Sequence, residues 1–290
     1  MTNFKTCSKA DEASLEAQTQ ASVNGFFAVM ASHWERIYEE TTLGACIYQD
    51  RKATALEWIE QLMLPCTARL LEVGCGAGVA TVALARRGFL VTAVDPVAAM
   101  IDLTHKRVVE AGFGDRVRII SADVRQLPMA ADSFDLVFAL GVLPWLDDAR
   151  AAVREMARVT RPGGYVLVTA ESPLHLDEAL DPARNPVLKP IRRSLSPVLR
   201  AVKLLPPPQQ LPPIYRHSRR ELDSMLLDAG LHKLRGITVG FGPFTFCGMQ
   251  VLPDRIGIKV HRMLQAAANR NLPIIASCGM QHVVIATKCA

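Results

Sequence analysis

Seven consecutive residues carry the densest chemistry in this sequence: Glu72-Val-Gly74-Cys75-Gly76-Ala-Gly78. A carboxylate is followed by three glycines at alternate positions. Glycines reach positive φ and lack the Cβ that would keep a ligand away from bare backbone N–H groups. The pattern departs from the dinucleotide fingerprint G-x-G-x-x-G, because Val79 stands where its third glycine would be. Glu72 adds negative charge at the mouth of the turn. That charge repels a pyrophosphate and suits a ligand with a cationic centre and no phosphate. Asp95 follows about 20 residues on, where an acidic group can accept both hydroxyls of a ribose. An Asp ahead of Pro96 can also cap a helix, and the two roles are compatible. The bland alternative is an ordinary strand-to-helix turn that binds nothing.

The elements that must hold these groups are legible on either side. Leu70, Leu71 and Val73 form a short apolar run that reads as a buried strand. Val79, Val82, Ala83 and Leu84 follow at helical spacing. Strand, glycine turn and helix N-terminus thus run from Arg69 to Ala85. This stretch resembles the first motif of the class I S-adenosylmethionine-dependent methyltransferases, (E/D)-x-G-x-G-x-G, at every fixed position. The resemblance implies that Asp95 binds the ribose and that Asp123, in Ser121-Ala122-Asp123-Val124, accepts from the adenine amino group. The backbone amide of Val124 would meet the ring. Glu72, Gly74, Cys75, Gly76, Gly78, Pro96, Met100 and Leu140 complete the implied cofactor set in the core.

Further motifs carry the resemblance over about residues 26–171. Leu127-Pro128 and Asp132-Ser-Phe134-Asp135 precede a fourth strand, where Asp135 reads as a structural pin. Arg161-Pro-Gly163-Gly164 shapes the turn before a fifth. The implied fold is a doubly wound, Rossmann-like α/β sheet of seven strands. It is mostly parallel with an antiparallel last strand, and helices cover both faces. After the fourth strand the sequence departs from many relatives: Pro144 and Trp145 stand where they have a histidine pair or another polar residue. Trp145 suits stacking on a flat ligand or plain packing.

Taken in order, residues 1–20 read as a flexible lead and 21–64 as a helical lid. In the lid, Trp34, Tyr38, Tyr48 and Arg51 are candidate contacts to the cofactor, and core packing is the alternative for its aromatics. Its second helix should start at an Asp50 cap and end before Pro65. Residues 65–171 form the cofactor core. Residues 172–217 break the alternation with eight prolines between Pro186 and Pro213. A short basic amphipathic piece over 191–205 would suit a cap on the substrate pocket. Residues 218–290 complete the sheet. They open with the capping box Ser218-Arg-Arg-Glu221 and hold a second insertion near 241–280, including a helix at about 254–268.

The net charge of +5 is uneven: from Arg184 to Arg220 there are nine Lys or Arg and no acidic residue. Such a segment would attract an acidic substrate or an anionic membrane surface. Seven scattered cysteines, with no C-x-x-C pair, read as reduced thiols of a cytoplasmic protein and give no metal site. Methyl transfer needs alignment and exclusion of water, and for many oxygen nucleophiles a base. Catalytic residues stay unknown. His175, His217 and Glu171 are the candidates best placed, near the fifth strand's end or the end of the first insert, whereas His105 and His282 read as structural.

The reading is an S-adenosylmethionine-dependent methyltransferase. Its acceptor would be a small or medium, partly apolar molecule such as a natural-product, quinone or lipid intermediate, with the methyl going to O, N or C. Nucleic acid is not an expected partner. A nicotinamide-dependent oxidoreductase and a non-catalytic protein on the same fold remain the alternatives.

Overall fold

Strands buried on both faces need helices on each side, which is how the apolar runs are used here. The computed structural model describes residues 9–191, 193–194 and 212–289. The strands are β1 (Arg69–Val73), β2 (Leu90–Asp95), β3 (Val117–Ser121), β4 (Phe134–Ala139), β5 (Thr160–Glu171), β6 (Leu231–Val239), β7 (Thr245–Phe246), β8 (Met249–Gln250) and β9 (Gln281–Lys288). Seven of them make one sheet in the order β3-β2-β1-β4-β5-β9-β6, and β7 and β8 pair as a separate hairpin. Strand β9 runs antiparallel to both β5 and β6, while the other pairs in the sheet are parallel. This is the doubly wound, mostly parallel sheet expected.

Neighbouring strand residues point to opposite faces and define two cores. Helices α1 (Lys9–Val29), α2 (Ala31–Arg36) and α3 (Leu43–Gln61) precede the sheet, and α4 (Val79–Arg86), α5 (Ala98–Glu110) and α6 (Ala149–Val159) alternate with its strands. Helices α7 (Leu176–Leu180), α8 (Arg219–Asp228) and α9 (Asp254–Asn269) belong to the second half. Leu71, Val137 and Val166 pack with Met156 of α6 and Leu222 of α8. Leu70, Leu136 and Leu167 pack on the other face with Ile59 of α3 and Leu84 of α4. The strand order reverses between β1 and β4, so the carboxyl ends of these two strands open a crevice.

Two N-terminal expectations need correction. Helix α1 already runs from Lys9, through most of the lead expected to be flexible, and residues 1–8 lie outside the described residues. Helix α3 begins at Leu43 and not at Asp50, because the Thr42 side chain accepts from the Ala45 amide at 3.2 Å and caps it. Asp50 instead sits inside the helix and meets His261 of α9, Oδ2 to Nε2 2.9 Å.

Elsewhere the elements follow the sequence closely. The capping box at Ser218 and Glu221 is formed in both directions. Asp135 accepts from the Arg69 amide (2.7 Å) and the Arg161 Nε (2.6 Å), tying the starts of β1 and β5 to β4. The basic piece expected over 191–205 falls largely outside the described residues. Among the described residues no helix is long and apolar enough to cross a membrane.

Candidate functional site

The turn after β1 is fixed by its neighbours before any ligand arrives. The amides of Gly74 and Cys75 donate to the Val94 carbonyl at 2.7 and 3.0 Å, strapping the turn to β2. Gly74, Gly76 and Gly78 have φ of +69°, +53° and +72°, values that L side chains rarely adopt. Gly74 and Gly76 line a cavity at the carboxyl ends of β1, β2 and β4. A Cβ on Gly74 would run into Val142, whereas a Cβ on Gly76 would meet no protein atom within 4 Å. Gly78 stands apart from the rest of the expected set. It does not line the cavity, and its missing Cβ makes room for Thr104 of α5, 3.0 Å away.

Of the three acidic residues singled out, all line this cavity. Asp95 is buried, and its two oxygens accept from the Gly76 and Val97 amides at 3.0 and 2.9 Å. Each oxygen keeps a further lone pair for a ligand hydroxyl. The helix-capping and ligand-holding roles are thus compatible. Glu72 is not a charge at an open mouth, as the sequence suggested. It is 3 % exposed, accepts from the Thr81 hydroxyl, and burial pushes its carboxyl up to about 8. Asp123 is gripped by Arg125, with Nε to Oδ1 at 3.0 Å and Nη2 to Oδ2 at 2.7 Å. Burial raises its carboxyl, but the hydrogen bonds from Arg125 outweigh this and hold it low.

The rest of the implied cofactor set also lies on the cavity wall. Cys75, Pro96, Met100, Val124 and Leu140 line it from the core, and Tyr38, Tyr48 and Arg51 from the lid. The Cys75 thiol is buried beside the Thr104 hydroxyl at 3.5 Å, and burial pushes it up, so it serves as an inert wall atom. Trp145 closes one side in an aromatic cluster, with ring centroids 5.8 Å from Phe26 and 5.0 Å from Phe27. Trp34 lies edge-on to Tyr48. Arg51 reaches across from α3: its Nη1 donates to Gln281 Oε1 (3.1 Å), its Nη2 to the Tyr38 hydroxyl (3.3 Å), and its guanidinium stacks on Tyr48. Gly141 makes room for it, since a Cβ there would lie 2.6 Å from Nη1. Two buried donors on this wall, Arg51 Nε and Trp34 Nε1, have no partner among the described residues.

The three catalytic candidates separate clearly. Glu171, at the end of β5, lines the cavity; His175 and His217 do not. Gln281 Nε2 donates to Glu171 Oε2 at 3.2 Å, and burial pushes this carboxyl up to about 7 against the opposing pull of Gln281, Arg216 and Arg51. His175 sits behind it, Nε2 to Oε1 3.4 Å, with Glu178 on its other side. Burial and the nearby Arg216 keep the His175 imidazole neutral by pushing it down. Arg216 and Arg184 both point inward onto this group, with Arg216 on Glu178 at 2.7 Å and Arg184 on Asp177 at 3.0 Å. Two cations of the basic segment are therefore already paired. His217 donates its amide to the Glu171 carbonyl and holds the returning chain at the strand end.

Sequence reasoning missed Gln281, which links Arg51 to Glu171, and the Glu178–Arg216 pair behind it. Gln281 could be found only through the β5–β9 register that sets it opposite Glu171. It also gave no sign of Cys46, Asp50 and His261 meeting within 4.8 Å. The Phe241 amide donates to His261 Nδ1 at 3.1 Å, so Nε2 carries the ring's proton and gives it to Asp50. A metal on Nε2 would require an imidazolate, so the cluster is a tie between α3 and α9 and not a metal centre.

Comparison with known proteins agrees with this geometry. Residues 71–168 match the family model of a methyltransferase domain. The methyltransferase GfsG of Streptomyces halstedii is 36% identical over 110 residues, 38% of this chain and 40% of that protein. A malonyl-[acyl-carrier protein] O-methyltransferase of Halorhodospira halophila is 40% identical over 112 residues, 38% of this chain and 37% of that protein. The chain thus spans about two fifths of the length of these relatives. Among solved structures, magnesium protoporphyrin IX methyltransferase from Synechocystis shares the fold, with a TM-score of 0.59 at 16% identity, over 93% of this chain and 99% of that one. The sheet order and the glycine turn define a doubly wound, Rossmann-like fold, shared with that structure. On that fold, residues 71–168 are similar to a methyltransferase domain.

Proposed function

We propose that the protein binds S-adenosylmethionine in this cavity and transfers its methyl group to an O, N or C atom of a small or medium, partly apolar acceptor. The observation that carries the reading is one cavity shared by the bare Gly74–Gly76 turn, the Asp95 carboxylate and the unpartnered Arg51 Nε. Such a wall fits the cofactor's parts: hydroxyls for Asp95, a carboxylate for Arg51 and Trp34, an ammonium for Glu72, and an adenine for Asp123 and the Val124 amide. When bound, the cofactor supplies an electrophilic methyl carried on a sulfonium.

The chain's own residues align, shield and deprotonate. Phe27, Trp34 and Trp145 exclude water on the lid side. Ile214, returning from the first insert, and Pro144 wall the cavity near Glu171. Glu171 is the residue placed to take a proton from an acceptor hydroxyl: it faces the cavity, and its carboxyl titrates at about 7, near the pH at which a base works best. The Arg51–Gln281–Glu171 chain orients it from the cofactor end.

The Halorhodospira relative's name makes oxygen the first acceptor atom to try. The test is transfer of labelled methyl to a panel of phenols, quinols, free carboxylates and amines. Transfer to at least one oxygen acceptor, lost in Glu171→Gln, supports the reading. A protein that binds the cofactor yet methylates no acceptor class would favour a non-catalytic role on the same fold.

A further inference from the structure

The charge of this chain is divided in a way that its modest net value hides. From Arg184 to the C-terminus there are 16 Lys or Arg against 4 Asp or Glu, so the residues before it carry a net negative charge. After Asp254 there is no acidic residue at all. Helix α9 buries Gly257, His261 and Ala268 against the protein. Its outward side presents Arg255, Lys259 and Arg262, flanked by Ile256 (50 % exposed) and Met263 (64 % exposed).

The β7–β8 hairpin stands next to this helix and exposes larger apolar groups. Phe246, Met249 and Val251 are 54, 70 and 55 % exposed. The hairpin is anchored: the Thr245 hydroxyl and the Gly248 amide both donate to Asp181 Oδ2, at 2.5 and 3.0 Å. Gln250 Nε2 donates to Asp254 Oδ1 at 3.2 Å and ties it to the start of α9. A hairpin held on both sides, with its apolar side chains turned to water, is costly unless something covers them.

We propose that the β7–β8 hairpin and the outer side of α9 form a docking surface for an anionic lipid bilayer. Apolar side chains amid cations, with Asp181 and Asp254 engaged in holding the hairpin, are what a negatively charged interface rewards. A nucleic acid would be met by the cations alone, with Phe246 the one ring on the hairpin to stack a base. The surface lies beyond the carboxyl end of β6, at the same end of the sheet as the cavity, since β6 and β5 are both antiparallel to β9. This inference does not depend on the proposed chemistry.

Flotation of the full chain with vesicles tests it, using pure phosphatidylcholine and phosphatidylcholine with about a third phosphatidylglycerol at roughly 0.1 M salt. The expected result is binding to the anionic vesicles only, weakened at about 0.5 M salt. Arg255→Gln with Lys259→Gln should lower the affinity about 25-fold, near fivefold per cation. Phe246→Ser with Met249→Ser should lower it about tenfold or more. All these side chains are exposed, and an unchanged thermal melt confirms the fold of each variant. Absence of flotation with either vesicle overturns the proposal, as does undiminished binding by the Phe246→Ser, Met249→Ser variant, which would mean plain polyanion attraction. A dimer in solution that this variant dissolves, without flotation, would assign the surface to a second copy and also overturn it.

Discussion

Along the ends of β1 and β2 the cavity wall is made of backbone and of side chains close in sequence. The Gly74–Gly76 turn hangs on Val94, and Asp95 holds the Gly76 amide. Along the end of β5 the wall is made of polar side chains drawn from distant parts of the chain: Glu171 from β5 and Gln281 from β9, which Arg51 of α3 links to the cofactor side. The first region fits one chemical object whatever the acceptor, so bare backbone and a few carboxylates suffice. On the proposed reading the second must suit a particular acceptor and a particular proton, and what sets it apart is burial. Glu171 is pushed to about 7 while Asp177, further from the cavity, is pushed to about 6.

The sharpest way to break this contrast is Glu171→Gln. It should lower methyl transfer by about 10²–10⁴-fold, the usual worth of a positioned base, while cofactor affinity, a property of the other wall, stays within about twofold. Equal losses in both would mean that the two regions act as one. In the wild type, transfer should rise with pH and level off above about 7 as Glu171 ionises.

The same substitution has a stability signature of opposite sense. Below about pH 4.5 Glu171 is protonated in both folded and unfolded chains. Between that value and about 7 the unfolded chain gives up the proton first, so stability falls as pH rises. Gln cannot ionise. Denaturant unfolding at pH 8 should therefore find Glu171→Gln more stable by ~3 kcal/mol, and at pH 4 little changed. A variant less stable at both pH values would show that the carboxylate holds the cluster together.

On the cofactor side, Asp95→Ala should weaken cofactor binding by about 1–3 kcal/mol, since two charge-assisted hydrogen bonds to the ribose go. An unchanged Kd would remove Asp95 from the site. Arg51→Met should cost less, about 1–2 kcal/mol, because the Trp34 donor remains. Asp123→Asn should be the smallest, under ~1 kcal/mol, as Arg125 already holds that carboxylate at a half-exposed position.

The contrast also explains what could be read in the sequence. Glu72 to Gly78 encode their turn locally, through residues whose φ and lack of Cβ are properties of the residue type, and the strand and helix limits around them follow from apolar period. That Gly78 makes room for Thr104 could not be read, because a glycine that admits a ligand and one that admits a side chain look alike in sequence. Glu72 was read as an open charge because burial is set by α4, whose Thr81 faces it, and not by its neighbours in the chain. Of the catalytic candidates, Glu171 could be named from its place at a strand end. Its separation from His175 and His217 needed the register that brings Gln281 alongside, which no local pattern encodes. The start of α3 was missed since Thr42 and Asp50 are both good caps; Thr42 takes that place, while Asp50 meets His261, 211 positions away.

The central claim is that the glycine turn with its carboxylates holds a sulfonium nucleoside. Titration calorimetry of the protein with S-adenosylhomocysteine and, separately, with NAD tests it most directly. The account predicts one S-adenosylhomocysteine bound per chain. Proton release should accompany binding near neutral pH, as the ligand's ammonium draws down the Glu72 carboxyl now at about 8. NAD should give no heat. Tight binding of NAD with no heat from S-adenosylhomocysteine at millimolar concentration would contradict it.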